Sequence, residues 1–346
     1  MSELKSNDAN EKPQEYQNLL GKISETYIYG QVKAVQAVNV ALLETYWQIG
    51  QHIVEFEQGG KMRADYGKAL ISNLAKDLSL LHGKGFSRSN LVYMRLLYIR
   101  YPISQKPSHQ LSWSHFVELL KIEDDLERKF YEIQSISEKW SVPQLKRQKN
   151  TALFQRLALS KNKDEILHLS AQGQVISKPS DVIRDPYVFE FLKIPEGHLP
   201  SELELENLLC DNLQQFLLEL GKGFTYVGRQ YRITINNKHY RVDLVFYHRI
   251  LRCFVLIDLK INEVQHGDVG QMNMYLGYFA NEENTEGDNP PIGIILTKNK
   301  DELLVEYATY GMSSQLFVSK YQLYLPDKND LINLISHTLD SETNQP

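Results

Sequence analysis

Charged side chains interrupt an apolar, strand-like segment in the second half of the chain. Asp258 and Lys260 follow the wholly apolar run 253–257 and are separated by one residue. Alternate residues of a strand face the same side, so this carboxylate and this ammonium are expected to lie together. Burial of such groups at the end of an apolar strand is costly unless they are paired or bind a metal. The pair is therefore a candidate for chemistry.

A second acid interrupts the preceding strand-like segment, where Asp243 stands between Val242 and Leu244. Adjacent antiparallel strands can bring Asp243 beside Asp258. Two close carboxylates repel each other, and a divalent cation relieves that repulsion while using both as ligands. The pattern favours a metal site, and an Asp–Lys salt bridge at a sheet edge is the alternative.

Helical spacing supplies two further candidates. Apolar residues recur three and four apart in the segment 201–220, and Glu206 falls within that apolar stripe. Glu204 lies opposite and has an ordinary role, because Ser201 and Glu204 form an S-x-x-E capping box. Glu206 has no such role, so we expect its carboxylate to be the third acidic member of the site. Gln271, on a later helix, could bond a metal-bound water or a phosphate oxygen, although such a Gln more often covers a sheet edge.

The elements that carry these residues follow one another in a recognisable order. The sequence predicts a helix from about 201 to 220, strands at 224–235, 240–247 and 252–260, a helix from about 268 to 280, and a buried strand at 291–298. A turn at 236–238 joins the first two strands as a hairpin. The predicted order is αβββαβ.

The first half of the chain predicts helices only. From residue 16 to about 169, long segments lack Gly and Pro and repeat apolar residues three and four apart, as in Val32, Val35, Val38, Leu42 and Leu43. Breaks are expected at Gly59–Gly60, at 83–85, at 102–107 and near Pro143.

Two of these helical stretches, 68–81 and 87–98, are joined by a Gly-containing turn. This spacing suits a helix-turn-helix, whose second helix enters the major groove of DNA, although a helical hairpin that only packs has the same spacing. The candidate nucleic-acid-binding residues are Lys84, Arg88, Ser89, Asn90, Arg95 and Arg147.

Charge is distributed unevenly along the chain. Residues 1–180 carry 24 Lys and Arg against 19 Asp and Glu, whereas the remainder carries 14 against 24. Basic residues cluster at 61–106 and at 139–163. Such clusters can contact phosphates, and a solvated helix face explains them equally well.

These features together resemble a known family. The element order, with Glu206, Asp243, Asp258-Leu259-Lys260 and Gln271, is similar to that of the PD-(D/E)xK nucleases, and the chain from residue 20 to 325 resembles the YhcG-like nucleases, which add a helical N-terminal domain. The blocks that carry the closer resemblance are Tyr46–Gly50, Trp113–His115, Asp185–Leu192, Leu218–Phe224, Val227–Gln230 and Gly270–Met272 with Tyr275.

The resemblance implies a metal-dependent endonuclease that hydrolyses phosphodiester bonds, with DNA as the expected substrate and restriction, defence or DNA processing as its role. Asp243 and Asp258 would hold Mg²⁺ (or Mn²⁺) with the carbonyl of Leu259, and Glu206 would bind a second metal or its water. Lys260 would orient or help deprotonate the attacking water and offset charge on the phosphate. The expected catalytic residues are Glu206, Asp243, Asp258, Lys260 and Gln271, and the expected metal ligands are Glu206, Asp243, Asp258 and Leu259.

Two departures from the general nuclease pattern leave the expected activity in place. Val242 precedes Asp243 where the pattern has proline, a residue that is frequently absent. Asp258 stands where many relatives have the longer Glu, and the motif allows either residue.

Composition sets the class of protein. With 42% hydrophobic and 23% charged residues among 346, the chain fits a globular protein and excludes collagen-like, disulfide-rich and wholly disordered classes. Its two cysteines are not spaced as metal ligands, which excludes a Cys-rich zinc site and favours the cytoplasm. No apolar stretch is long enough to span a membrane, and the polar residues 1–16 lack the core of a signal peptide.

We predict an α+β two-domain protein, with an all-α N-terminal domain followed by a restriction-endonuclease-like α/β domain built on a mixed αβββαβ sheet. The expected divisions are a flexible tail (1–15), a helical domain that binds DNA or a partner (16–169), a linker (170–186), the nuclease-like domain (187–326) and a C-terminal tail (327–346). The expected partners are nucleic acid, a second copy in a homodimer, or another protein of a defence system, with no membrane involved.

Two other functions remain open from the sequence. A non-cleaving nucleic-acid-binding protein, or a subunit of a complex, could use the same fold without hydrolysis. A metal-independent hydrolase ranks last because no Ser/His/Asp or Cys/His arrangement is evident.

Overall fold

The computed structural model describes residues 14–58, 69–101, 110–159 and 161–341. The chain divides into two compact units, one ending at Lys121 and the other beginning at Ile122. None of the described helices combines the length and the apolar character needed to cross a membrane.

The described part of the first unit is helical, as the sequence predicts. Its helices are α1 (Gln14–Gln58), α2 (Leu70–His82), α3 (Arg88–Arg100) and α4 (Trp113–Leu119). Ile53 of α1 and Leu91 and Met94 of α3 form its buried core. The two helices approach closely at Gly50, where a Cβ atom would lie 2.0 Å from the carbonyl oxygen of Met94. The predicted breaks at 59–60 and 102–107 lie outside the described residues.

The predicted helical pair with its Gly-containing turn is present as α2 and α3. Helix α3 begins where the sequence predicts, because the Ser87 hydroxyl accepts a hydrogen bond from the N–H of Asn90 (3.3 Å) and so caps the first turn. Gly83 and Gly85 have positive φ angles of 79° and 124°, which favour glycine. Lys68, the start of the first predicted stretch, lies outside the described residues.

The second unit combines helices with one mixed sheet. Its helices are α5 (Asp125–Ser137), α6 (Val142–Asn150), α7 (Leu153–Ala158), α8 (Lys163–Gln172), α9 (Glu202–Asp211), α10 (Leu213–Leu220), α11 (His266–Tyr278), α12 (Glu302–Thr309) and α13 (Lys328–Ser341). Its strands are β1 (Tyr187–Val188), β2 (Phe224–Ile235), β3 (Lys238–His248), β4 (Cys253–Lys260), β5 (Ile292–Thr297) and β6 (Gln315–Gln322).

The strands lie in the order β1-β6-β5-β4-β3-β2. Strand β3 is antiparallel to both of its neighbours, β2 and β4. Strands β4, β5 and β6 run parallel to one another, and β1 pairs in parallel with β6. The predicted αβββαβ series is therefore present as α9–α10, β2, β3, β4, α11 and β5. The sequence analysis did not predict β1, α12 or β6, and it predicted one helix where the chain breaks at Asn212 into α9 and α10.

The hairpin between β2 and β3 has the predicted position. Ile235 pairs with Lys238, which leaves Asn236 and Asn237 as a two-residue loop with φ angles of 47° and 59°. Two consecutive positive φ angles are the mark of a type I′ turn, for which asparagine is well suited. This turn fixes the register of the two strands and thereby the position of Asp243.

Both faces of the sheet are covered, so the central strands are buried on two sides. Leu205, Leu209 and Phe216 of α9 and α10 pack on one face. Met272 and Leu276 of α11 pack on the other face. Burial on both faces explains why the middle of β4, and β5 as far as Leu296, carry no polar side chain.

Residues 122–169, predicted as part of the helical domain, belong with the sheet in the second unit. The reason is a buried ion-pair network: Arg156 of α7 contacts Glu219 of α10 at 2.6 Å, with both side chains fully buried. The predicted linker 170–186 also contributes to this packing, since Val182 and Arg184 are buried within it.

The segment predicted as a C-terminal tail contains helix α13. Its Ile335 is 8% exposed, and Lys328 contacts Glu127 of α5 at 2.7 Å. Of the predicted N-terminal tail, residues 1–13 lie outside the described residues, and α1 begins at Gln14.

Candidate active site

The end of β4 places a carboxylate and an ammonium together, as the alternation of the strand predicts. Lys260 Nζ lies 2.7 Å from Asp258 Oδ2 and 3.8 Å from Asp268 Oδ1. The Asp258 side chain is 5% exposed and that of Lys260 is 17% exposed. The ammonium is therefore a partly buried charge held between two acids.

Strand pairing brings Asp243 to the same place. The β3–β4 ladder ends at the pair Leu244–Ile257. Asp243 precedes Leu244 and Asp258 follows Ile257, so the two acids are opposite each other just beyond the ladder. The Oδ2 atom of Asp243 accepts a hydrogen bond from the backbone N–H of Leu259 at 2.9 Å. This bond fixes the Asp243 carboxylate at the end of β4.

Gln230 of β2 links two of the acids, and the sequence analysis did not include it among the site residues. Its neighbours pair with Leu244 and Val242, so the ladder omits Gln230 at the position opposite Asp243. Its φ angle is 47°, a left-handed conformation that is unusual for a residue with a side chain. The amide Nε2 donates to Asp243 Oδ1 at 3.1 Å and also to Glu206 Oε2.

Glu206 lies on the inward face of α9, as helical spacing predicts. Glu206 is 2% exposed, and its Oε1 atom is buried without a hydrogen-bond partner. The Ser201 hydroxyl accepts from the N–H of Glu204 (3.2 Å), so the predicted N-cap is present, but the Glu204 side chain contacts His198 at 3.0 Å instead of completing the capping box. Glu206 thus brings a buried, incompletely satisfied carboxylate to the cluster.

Burial and mutual repulsion shift the proton equilibria of the cluster. Burial, together with the negative charge of Asp258, raises the pKa of Asp243 to about 7. Burial alone would lower the pKa of Lys260, but the nearby charge and hydrogen bond of Asp258, with Glu202 and Asp268, raise it above its ordinary value. Lys260 therefore stays charged at neutral pH, whereas the raised pKa of Asp243 lies near neutral pH.

Gln271 reaches the cluster indirectly. Its amide donates to the hydroxyl of Tyr275, four residues further along α11, and that hydroxyl donates to the carbonyl oxygen of Arg241 at 3.0 Å. Burial, with smaller contributions from Asp258 and Asp243, raises the pKa of Tyr275. Gln271 thus orients a tyrosine that lies in the field of the acids.

The structure separates the predicted nucleic-acid-binding residues into three groups. Three of them are exposed around the turn before α3: Lys84, Arg88 and Ser89. Asn90 donates to the carbonyl of Gly85 at 2.8 Å and so holds the turn, and Arg95 contacts Glu57 at 2.7 Å. These five residues belong to the first unit.

Arg147 belongs to the second unit and has a different environment. Its guanidinium contacts Glu190 at 2.8 Å and Glu219 at 3.2 Å, and its side chain is 13% exposed. A mostly buried arginine with two carboxylate partners holds the fold together. The structure therefore places Arg147 in the ion-pair network and not among exposed phosphate-binding groups.

The donor set suits a hard divalent cation. The cluster offers the carboxylates of Asp243 and Asp258 and the unpartnered Oε1 atom of Glu206, and acids outnumber bases in it. Mg²⁺ and Mn²⁺ prefer such oxygen ligands. Among the described residues, no group of three or more Asp, Glu, His or Cys side chains is arranged to hold a metal unaided. Mg²⁺ commonly keeps several waters and uses only one or two carboxylates, so a pair of carboxylates such as Asp243 and Asp258 is compatible with this ion.

Comparison with known proteins identifies the family. Residues 180–335 match the YhcG PDDEXK nuclease domain, and residues 22–156 match the DUF1016 N-terminal domain. The chain is 37% identical, over 93% of its length and 94% of the relative's length, to "Putative nuclease YhcG" of Escherichia coli (strain K12). The chain belongs to the YhcG family of PDDEXK nucleases. The resemblance in the sequence analysis is thereby confirmed.

Solved structures give more distant matches to this YhcG-family chain. A repair endonuclease from Pyrococcus abyssi is 21% identical over 38% of this chain, with a TM-score of 0.27. An EndoMS–dsDNA2 complex is 18% identical over 39% of this chain, with a TM-score of 0.26. Each match spans half the length of the other chain. The family match, and not these structures, gives the fold class: the PDDEXK nuclease domain covers the mixed sheet, and the DUF1016 N-terminal domain matches the helical part that precedes it.

Proposed function

We propose that the cluster of Asp243, Asp258, Lys260 and Glu206 hydrolyses phosphodiester bonds of DNA in a reaction that requires a divalent cation. The observation that carries the proposal is the meeting of three acids and one lysine where the β3–β4 ladder ends, with one buried carboxylate oxygen of Glu206 left without a partner. Membership of a nuclease family supports the same conclusion.

Each residue has a role that its surroundings allow. Asp243 and Asp258 would bind Mg²⁺ with the carbonyl of Leu259, and Glu206 would bind a second ion or a water on it. A divalent cation bound there would polarise the phosphoryl group and acidify water. Lys260, charged at neutral pH, would donate to a phosphate oxygen and orient the attacking water; its raised pKa makes it a poor base.

Gln230 is assigned a positioning role in this proposal. Its amide donates to Glu206 and Asp243 together and so holds two carboxylates that repel each other. Tyr275 and Gln271 border the same acids from α11. A substrate that reaches this end of the sheet would therefore meet amide and hydroxyl donors beside the carboxylates.

The test is cleavage of supercoiled plasmid by the full chain, with and without Mg²⁺. We expect nicking or linearisation by the wild type only with metal. Asp258→Ala and Lys260→Ala are expected to fold normally and to cut nothing. Metal-dependent cleavage by both variants would contradict the assignment of the site, and single-stranded DNA and RNA in parallel reactions test the proposed substrate.

A non-cleaving nucleic-acid-binding protein is the competing function. It predicts that the folded wild type binds plasmid DNA and does not cleave it with any divalent metal. It also predicts that Asp258→Ala binds the plasmid as tightly as the wild type. The exposed group at Lys84, Arg88 and Ser89 would then be the first region to vary.

A further inference from the structure

The N-terminal part of α1 exposes an unusual amount of apolar surface. Every residue from Gln14 to Val38 is exposed. Ile23 is 58% exposed, Tyr27 is 65% exposed and Val38 is 57% exposed. Soluble proteins rarely leave a continuous apolar surface of this length uncovered, and such surfaces mark sites of association.

Seven exposed residues of α1, all but Gln31 apolar, form a regular stripe along this surface, and further exposed apolar residues such as Ile28, Val32 and Val35 lie beside it. The seven follow one another at intervals of three, four and four residues, which makes a repeat of eleven residues in three helical turns. The stripe contains Leu20, Ile23, Tyr27, Gln31, Ala34, Val38 and Leu42. We refer to these seven residues as the α1 stripe.

The same periodicity continues into the core of the first unit. Ile49 and Ile53 extend the α1 stripe by the same intervals, and there the helix packs against Leu91 and Met94 of α3. One face of one helix is thus covered by its own chain in its second half and exposed in its first half. Continuity with a packed face indicates that the exposed half is also built to be covered by helices.

Charge distinguishes the possible occupants of the α1 stripe. The charged residues between positions 14 and 42 are Glu15, Lys22, Glu25 and Lys33. At 3.6 residues per turn all four fall on the side of the helix opposite the stripe. A nucleic acid or an anionic membrane surface would need basic residues along the contact, whereas a second α1 stripe would meet no like charge.

The size of the surface is sufficient for a dimer. The exposed part of α1 is about 40 Å long, and half of the surface of a helix of that length is on the order of 700 Å². Standard protein interfaces bury about 800 Å² on each partner. Two-fold symmetry, in which the same patch serves both copies, is the commonest arrangement for such contacts.

We infer that the α1 stripe is the interface with a second copy of this chain. The inference concerns the first unit and is independent of the chemistry proposed for the acidic cluster. A dimer formed through α1 would give a nuclease two copies of its site in one particle.

The test is the mass of the full chain in solution, measured by light scattering after size exclusion at about 10 μM, a concentration that reveals micromolar dimers. The wild type is expected to have twice the mass of one chain. Leu20→Lys combined with Val38→Lys is expected to give the mass of one chain, because it places two ammonium groups on each half of the interface.

The matched control is Glu25→Lys, which changes the net charge by the same amount on the opposite side of α1 and is expected to leave the dimer intact. Circular dichroism of all three proteins verifies that the helices are retained. A wild type that is a monomer would overturn the inference, and so would a folded double variant that stays a dimer. Both readings are independent of cleavage.

Discussion

Two clusters of buried charge lie in the second unit, and they are built on opposite principles. Around Glu219, three arginines (Arg147, Arg156 and Arg184) lie 3.2, 2.6 and 3.7 Å from one carboxylate. The Asp243 carboxyl is instead close to two further acids, Asp258 and Glu206, and to the ammonium of Lys260. Burial opposes ionisation in both clusters, yet the arginines lower the pKa of Glu219, whereas burial and the charge of Asp258 raise that of Asp243 to about 7.

The difference agrees with a structural role for the Glu219 cluster and with the metal site proposed at Asp243. A buried acid with cationic partners stays ionised and holds neighbouring elements together. Buried acids without enough partners destabilise the protein until a cation arrives, which is how a metal site differs from a structural ion pair. The Glu219 cluster should therefore respond to mutation in stability, and the Asp243 cluster in activity.

The largest expected effect is on the structural cluster. Glu219→Gln removes the buried carboxylate that contacts Arg156 and Arg184, so we expect the free energy of unfolding to fall by about 3–5 kcal/mol at pH 7. Because the pKa of Glu219 is lowered in the folded state, the stability due to its charge is present at neutral pH and is lost as the pH falls below about 4. Urea unfolding of the wild type and of Glu219→Gln at pH 7 and at pH 3 measures both effects.

The control for this prediction is Glu190→Gln, which removes a partner of Arg147 at the rim, where the Glu190 side chain is 20% exposed. It should cost about 1 kcal/mol or less. Equal losses for the two variants would show that the Glu219 cluster is not the centre of the network.

The next effect is on catalysis by the acidic cluster. Glu206→Gln keeps the shape of the side chain but removes the negative charge, so we expect metal-dependent cleavage to fall by more than about 100-fold. Glu204→Gln, two residues away on the outer face of α9, should change the cleavage rate by less than about twofold, because the outer face does not contact the acidic cluster. Rates of plasmid nicking test the pair, and equal rates for the two variants would remove Glu206 from the site.

A smaller effect, of opposite sign to that at Glu219, is expected at Asp243. The pKa of this carboxyl is raised in the folded state, so folding favours its protonated form. The free energy of unfolding is therefore highest at low pH and decreases as the pH rises from about 4 to about 7. Asp243→Asn should therefore stabilise the metal-free protein, by about 1–2 kcal/mol more at pH 8 than at pH 5. Thermal unfolding in EDTA at both pH values measures this, and a pH-independent change would contradict the assigned pKa.

The smallest effect concerns the backbone of Gln230. Gly adopts the left-handed conformation without strain, so Gln230→Gly should be about 1 kcal/mol more stable than Gln230→Ala, although both lose the amide that links Glu206 to Asp243. Chemical unfolding of the two variants is the comparison. Equal stabilities would mean that the left-handed conformation at this position is not maintained.

Local patterns in the sequence predicted most of what lies within one element. Strand alternation placed Asp258 with Lys260, and helical spacing placed Glu206 inward, because both depend only on the period of the element. The succession of β2, β3, β4 and β5 along the chain followed from hydrophobic runs, and the β2–β3 hairpin followed from one asparagine turn. These features need no knowledge of distant residues.

Features that depend on distant partners were missed. Gln230 joins the site because the ladder omits it and its φ angle is positive, and neither property has a sequence signal as clear as glycine. Arg147 looked like a phosphate-binding residue because its partner Glu219 lies 72 positions away. Strand β1 has only two residues, too few to show a period.

The central claim is that the acids beside the end of the β3–β4 ladder bind a divalent cation, and calorimetric titration of Mg²⁺ at pH 8 tests it most directly. We predict that the wild type and Glu204→Gln bind the ion, and that Asp243→Ala does not. A folded wild type that binds no Mg²⁺ even with DNA present, or an Asp243→Ala protein that binds it as tightly as the wild type, would contradict the claim.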